Sequence, residues 1–177
     1  MRDFPLLFVP AGFILASMND TIREIIDLTK DLIRFRSTAS RPDERKACAD
    51  FIEAWLGRAG VACEREAHDG VDSIKAMPQG GRCRVLLMAH FDVVDGPEAL
   101  FTPEERGGRL FGRGAIDDKY AVALGMALMK RQAARGGAGP LGLLLTGDEE
   151  TGGRDGAGKS LAGVRADFCI AMDGGGP

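Results

Sequence analysis

The chain of 177 residues is long enough for one domain with its own hydrophobic core, and its 45% hydrophobic and 28% charged residues are typical of a soluble globular protein. The formal net charge of -3 gives no basic surface, which argues against a nucleic-acid partner or binding to an anionic membrane. No apolar run reaches the ~20 residues of a membrane-spanning helix, and four scattered cysteines without a CxxC pair favour reduced thiols and a cytoplasmic location.

The first residues are interpreted separately, with residues 1–17 as a leader and residues 18–177 as the globular part. The run Leu6–Ala16 has the length of a signal-peptide core, but Pro10 interrupts it. The residues directly after Met18 are typical helix caps. We therefore expect a start at Met18 and a spurious or unstructured extension before it, with a cleaved signal peptide as the alternative.

Helices and strands alternate along the rest of the chain. Apolar residues at helical spacing predict helices over about 21–35, from Pro42 to Gly60, from Asp117 or Asp118 to about Arg135, and a short one starting at 157–161. Strands are predicted at 61–66, 72–77, 84–89, 141–146 and 168–172, with a loop or small hairpin between 96 and 114. The last three strands are continuous apolar runs, as in strands buried on both faces. This order predicts an α/β fold, a three-layer sandwich around a mostly parallel central sheet.

Acidic and imidazole groups follow each buried strand, where open α/β sheets gather their chemistry. They are His90 and Asp92 after the first, Asp148, Glu149 and Glu150 after the second, Asp173 after the third, and Asp117 and Asp118 just before a helix. Burying several carboxylates together is costly unless cations neutralise them. One histidine among carboxylates is a ligand set that zinc accepts.

Each group also has an ordinary structural interpretation. His90 and Asp92 could be a buried hydrogen-bonded pair, Asp117 a helix cap, residues 148–150 a solvated turn, and Asp173 a polar strand end. The coincidence of four acidic strand or loop ends at one sheet edge favours the metal site. His68 and Lys119 show no partner pattern, and we expect both on the surface.

The segments AHFDVVDG, GRLFGRGAIDDK, LLLTGDEETGG and FCIAMDGGGP, in this order and spacing, resemble a zinc peptidase family. Its members include carboxypeptidase G, aminoacylase, acetylornithine deacetylase, succinyl-diaminopimelate desuccinylase and carnosinase-like dipeptidases. The resemblance covers about Thr21–Pro177 and implies the catalytic half of a zinc exopeptidase-like fold. It also implies hydrolysis of an amide or peptide bond in a small substrate, either a dipeptide or an N-acyl amino acid.

The resemblance implies a role for each matching residue. The ligands of two Zn²⁺ ions, or of Co²⁺ or Mn²⁺, would be His90 and Asp173 for the first, Glu150 for the second, and Asp117 as a bridge. Asp92 would clamp the His90 imidazole, and Glu149 would be the general base. The peptide bond between Asp117 and Asp118 would be cis, as in relatives.

Three departures qualify the resemblance. Tyr120 stands where the family usually has glycine. The family takes its second-zinc histidine from near its C-terminus, and only two histidines occur here, so the second site is incomplete. The lid domain, through which relatives dimerise, has no counterpart. We therefore expect an N-terminal fragment of a longer homodimeric hydrolase, inactive or nearly so alone, and Asp173 with the IDDK sequence favours the dipeptidase branch.

Two other functions remain as alternatives. GRDGAGKS, from Gly153 to Ser160, matches the phosphate-binding loop GxxxxGK[ST] and could indicate a nucleotide-binding protein. Such a loop should leave its strand directly, however, whereas DEETG intervenes here. The other alternative is a non-catalytic relative that keeps the fold as a metal-binding or interaction module.

Overall fold

The computed structural model describes residues 11–78, 80–136 and 139–174, with side chains from residue 18 onward. Residues 1–10, and with them the first five residues of the predicted signal core, lie outside the described residues. Within these ranges the helices are α1 (Ala11–Ile33), α2 (Pro42–Arg58), α3 (Lys119–Ala134) and the short α4 (Ala157–Ser160). The strands are β1 (Glu64–His68), β2 (Val71–Ala76), β3 (Arg82–His90), β4 (Glu104–Arg106), β5 (Arg109–Phe111), β6 (Leu141–Thr146) and β7 (Arg165–Ala171).

The predicted α/β fold is confirmed, with a mixed central sheet in which β1, β3, β6 and β7 run in the same direction and β2 runs against them. Its five strands have the order β1-β2-β6-β3-β7. β6, β3 and β7 are parallel neighbours, whereas β1 and β2 pair antiparallel with each other and β2 pairs antiparallel with β6. The turn that joins β1 to β2, at Asp69 and Gly70, has only two residues, both at positive φ, and is too short for the crossover that parallel pairing of these two strands would need.

The first helix begins earlier than predicted. α1 is continuous over 23 residues from Ala11, so the predicted start near Thr21 is wrong and the capping residues after Met18 lie inside the helix. α2 begins at Pro42 as predicted, and the chain turns after it at Gly60, whose φ of 74° suits glycine.

The main core lies between one face of the sheet and the first three helices. It is formed by side chains that include Leu28 and Leu32 of α1, Ile52 and Leu56 of α2, Val122 and Met126 of α3, and Ile74, Leu87, Leu143 and Leu145 of the sheet. On the opposite face a smaller cluster holds Cys83, Leu86 and Leu144. Of the predicted three layers, the described residues therefore supply one thick helical layer, the sheet, and a thin second layer that includes α4.

The last strand is not buried, contrary to the prediction made from its apolar sequence. Every residue of β7 is exposed, with Phe168 at 67% and Ile170 at 49% relative exposure. β7 is the edge strand of the sheet and pairs with β3 alone among the described strands. β7 has the apolar composition of a buried strand, but none of the described residues covers its faces.

The segment between β3 and α3 contains the predicted small hairpin. β4 and β5 pair antiparallel around a turn at Gly107 and Gly108, after a 3-10 turn at Glu98–Phe101. This segment leads the chain to the start of α3, where the acidic pair lies. None of the helices in the described ranges is long and apolar enough to span a bilayer.

Candidate metal centre

The candidate site lies at the carboxyl edge of the three parallel strands. His90 is the last residue of β3, Glu149 begins a 3-10 turn three residues after β6, and Asp173 follows β7. Because β3, β6 and β7 are parallel, these strand ends meet at one edge of the sheet. The α3 helix starts at the same edge and contributes Asp117 just before its first turn.

Two groups of potential ligand atoms converge on His90. The ligand atoms of His90, Glu149 and Asp173 lie within 4.8 Å of one another, and so do those of His90, Asp117 and Glu150. His90 Nε2 is 3.0 Å from Asp117 Oδ1 and 3.8 Å from Glu149 Oε2. All the metal ligands inferred from the sequence thus occur in these groups. Glu149, expected as the base, also lies within ligand range.

Asp92 connects the imidazole to the acidic turn. His90 Nδ1 lies 3.1 Å from the Asp92 carbonyl oxygen and 3.3 Å from its Oδ1. The same carboxylate accepts the backbone N–H groups of Glu149 and Glu150, each at 3.1 Å. His90 and Asp92 are therefore a buried pair, as one structural alternative expected, but the pair also fixes the turn that carries the acidic residues.

The charge of Asp92 also controls the protonation of His90. Burial of the imidazole opposes its charged form, but the hydrogen bond and charge of Asp92, with the charges of Asp118 and Glu149, raise the pKa of His90 to about 9. Burial, followed by the charge of Asp117, raises the pKa of Glu150. The carboxylates therefore repel one another, and a bound cation would relieve this repulsion.

The start of α3 differs from an ordinary capped helix. The Asp117–Asp118 peptide bond is cis, as the resemblance implied. Asp118 occupies the N-cap position without a side-chain capping bond, and its Oδ2 instead accepts the backbone N–H of His90 at 3.3 Å. Burial raises the pKa of Asp118 to about 7. The helix-cap interpretation thus does not describe the acidic pair.

Lys119 is fully buried, so its prediction as a surface residue is wrong. Its Nζ donates to the carbonyl oxygens of Leu32 at 2.8 Å and Phe35 at 2.6 Å, where α1 ends. The Leu32 carbonyl oxygen also accepts the backbone N–H of Phe35 at 3.1 Å, and the buried ammonium group gives both carbonyls a charged donor. The local sequence contains no sign of this contact, because the partner carbonyls lie more than 80 residues away.

Asp148 is a structural residue that the sequence did not distinguish from its acidic neighbours. Its Oδ2 accepts the backbone N–H groups of Asp155 at 2.9 Å and Gly156 at 3.0 Å. It thereby holds the GRDGAGKS segment in a turn, where Lys159 pairs with Asp155 at 2.6 Å and α4 has only four residues. Nothing in this described segment favours a phosphate-binding loop.

Fold and site together define an α/β protein with a carboxylate-rich candidate metal centre at the sheet edge. The model of peptidase family M20/M25/M40 matches residues 86–177. A succinyl-diaminopimelate desuccinylase of Xylella fastidiosa is 37% identical over 160 residues, which cover 83% of this chain and 42% of that protein. A desuccinylase of Parvibaculum lavamentivorans is 35% identical and covers 82% and 40%. The chain belongs to peptidase family M20/M25/M40.

Solved structures agree on the fold. Human carnosine dipeptidase 1 superposes with a TM-score of 0.71 at 18% identity, over 93% of this chain and 42% of that protein. An M20 family metallo-carboxypeptidase from Sulfolobus solfataricus gives 0.68 at 17% identity, over 86% and 38%. The chain thus spans about two fifths of the length of the relatives that it matches.

Proposed function

We propose that this chain carries the metal centre and general base of a two-zinc hydrolase of amide or peptide bonds, with residues 18–177 as part of its catalytic domain. The observation that supports this function best is the position of His90, whose Nε2 lies 3.0 Å from Asp117 Oδ1 and 3.8 Å from Glu149 Oε2. A buried imidazole within reach of several carboxylates fits the nitrogen and oxygen ligands of zinc, with Co²⁺ or Mn²⁺ as alternatives.

The metal ligands are divided between two sites. In this proposal His90 Nε2 and the Asp173 carboxylate bind the first ion, Glu150 binds the second, and Asp117 binds both. Asp92 holds the His90 ring through Nδ1, so that Nε2 keeps its lone pair for the ion. When bound, the two ions would supply Lewis-acid activation of a water molecule and of the scissile carbonyl.

The proton transfers are assigned to Glu149. Its side chain is half-exposed, and its backbone N–H is held by Asp92, so its carboxylate reaches solvent from a fixed turn. In this proposal a Glu149 oxygen accepts a proton from the attacking water and later delivers one to the leaving nitrogen. Glu149→Gln removes this basic group while keeping the shape of the side chain.

The substrate class follows from the relatives. Curated sequences at 35–37% identity are named succinyl-diaminopimelate desuccinylases, which supports an N-acyl amino acid more than a dipeptide. The preference for the dipeptidase branch drawn from Asp173 stays a prediction. We further propose that the whole protein dimerises through a lid domain. With His90 assigned to the first ion, the described ligand groups leave Asp117 and Glu150 for the second, and we propose that another histidine completes it.

Metal titration of the purified chain tests this function. We expect one Zn²⁺ to bind tightly and a second more weakly, with both retained in Glu149→Gln. In the full-length hydrolase the same variant should lose at least about a hundredfold in turnover of an N-acyl amino acid, as expected for a missing general base. A chain that binds no divalent ion, or a Glu149→Gln enzyme with unchanged turnover, would contradict the proposal.

A further inference from the structure

Tyr120 connects the start of α3 to the end of β7. Its hydroxyl group donates to the carbonyl oxygen of Met172 at 3.1 Å. Met172 immediately precedes Asp173, whose carboxylate lies within ligand range of His90 and Glu149. The tyrosine therefore contacts the backbone directly next to a proposed metal ligand, although its own side chain is not part of either ligand group.

The bonded carbonyl controls the direction of the next residue. The carbonyl group of Met172 and the Cα atom of Asp173 lie in one rigid peptide plane. The preceding peptide plane is already fixed, because the Met172 N–H donates to the Met88 carbonyl oxygen at 2.8 Å. The remaining freedom is rotation about the φ and ψ angles of Met172, and the bond from Tyr120 to the carbonyl oxygen restrains both.

This restraint matters because Asp173 lies beyond the strand ladder. β7 ends at Ala171 and is an edge strand with exposed residues. Of the described strands, only β3 holds it. Asp173 therefore lies just beyond the backbone bond from Met172 to Met88. The hydrogen bond from Tyr120 fixes Asp173 relative to the helix that begins just after Asp117 and Asp118.

The ring of Tyr120 is well placed to act as an anchor. It packs against the main core and, with Ile25 and Ile26 of α1 and Ile116, lines an apolar cavity. These contacts restrict the ring before any ion binds, so little freedom is lost when the hydroxyl group makes its bond. A preorganised side chain of this kind supports a metal ligand at low entropic cost.

We propose that Tyr120 is a positioning residue of the metal centre, which acts by orienting the Met172–Asp173 peptide so that Asp173 reaches the first ion. The inference rests on the proposed function, since it assumes that Asp173 binds metal. In this proposal the hydroxyl group of Tyr120 has a role of its own, separate from the packing of the ring against the core.

A Co²⁺ titration of the metal-free chain, followed by visible absorption, tests the role of the hydroxyl group. Tyr120→Phe should weaken Co²⁺ binding about tenfold and change the absorption spectrum, as expected when the support of a ligand is lost. Ile25→Ala is the matched control, because it removes packing from the same ring and leaves the hydroxyl group. It should lower the melting temperature while leaving the Co²⁺ affinity within twofold of wild type.

A double-mutant comparison links the effect to Asp173. In an Asp173→Asn background, Tyr120→Phe should change the Co²⁺ affinity by less than twofold, because the oriented ligand is already lost. An unchanged affinity in Tyr120→Phe, or an equal loss in the presence and absence of Asp173, would overturn the positioning role alone. Failure of the wild-type chain to bind Co²⁺ would instead overturn the proposed function and this inference with it.

Discussion

The carboxylate of Asp92 and the imidazole of His90 are buried side by side, with Nδ1 3.3 Å from Oδ1. Asp92 also accepts two backbone N–H groups from the acidic turn after β6. One side chain therefore sets both the direction of the imidazole and the position of the carboxylates that face it. Loss of this side chain should affect the metal site at two points.

Asp92→Asn should weaken the binding of Zn²⁺ by about 10- to 100-fold, as is typical when the partner of a metal-bound histidine is replaced. An amide offers one accepting oxygen where the carboxylate offers two, so one backbone N–H also loses its partner. Calorimetry measures the Zn²⁺ affinity. The control is Asp95→Asn, an exposed change in the same loop, which should bind Zn²⁺ as wild type does. Equal affinities for the two variants would contradict this role of Asp92.

Lys119→Met should lower the free energy of unfolding by about 1–3 kcal/mol, because the Leu32 and Phe35 carbonyl oxygens at the end of α1 lose their ammonium donor and Leu32 keeps only the N–H of Phe35. Urea denaturation of the metal-free chain measures this difference. Lys46→Met removes an exposed lysine that pairs with Asp50 and should cost less than about 1 kcal/mol. An equal change in the free energy of unfolding for the two variants would contradict this role of Lys119.

Gly156→Ala should destabilise the chain by about 1–3 kcal/mol, because a Cβ atom there would lie 2.0 Å from Asp148 Oδ1. Either the side chain of Asp148 or the turn it holds would have to move. Gly57→Ala is the opposite case: it lies inside α2 with nothing within 4 Å of its Cβ position, and should stabilise by up to about 1 kcal/mol. Thermal denaturation of the two variants should give shifts of opposite sign.

Cys48 should make stability depend on alkaline pH. Burial raises the pKa of its thiol to about 11 from an ordinary value of 9.0, although Lys119 and Ser37 partly oppose this. The folded state therefore keeps the proton more tightly than the unfolded state. Its contribution is complete below pH 9 and is lost as the pH rises to 11, by about 2–3 kcal/mol in total.

Comparison with Cys48→Ala isolates this contribution from other groups that titrate in the same range. The difference in the free energy of unfolding between wild type and variant should shrink between pH 9 and pH 11. A difference that stays constant over this range would show that the buried thiol is not held protonated. The exposed Cys169 should react with a thiol reagent at pH 8 in the folded chain, whereas Cys48 should react only after unfolding.

Much of the fold followed from local patterns. The continuous apolar runs before His90 and Asp148 predicted β3 and β6 closely, since burial on both faces leaves a clear signal. The same signal was misleading for β7, because apolar composition indicates that a strand is suited to burial and not which segment covers it. The position and direction of β2 within the sheet could not be predicted either, because its antiparallel pairing with β6 depends on contacts between residues distant in sequence.

The residue types of the candidate site could be predicted from the sequence, whereas the contacts that hold the site in place were harder to predict. Acidic residues at the ends of parallel strands must meet at one edge, so the grouping around His90 could be expected from strand order. The contacts of Lys119 and Tyr120 reach carbonyl oxygens of the backbone, which are chemically the same at every residue. No sequence pattern identifies which carbonyl oxygen a side chain will bond to, and the hydrogen bonds of Lys119 and Tyr120 are therefore known only from the structure.

The edge position of β7 has a consequence for proteolysis. An ion bound to Asp173 and His90 would fasten the free end of this strand to the neighbouring β3, much as a short cross-link would. Removal of the ion by a chelator would leave the strand to fray from that end. Once this fraying extends along the whole strand, trypsin should cut after Arg165, the exposed first residue of β7, and added Zn²⁺ should protect this bond.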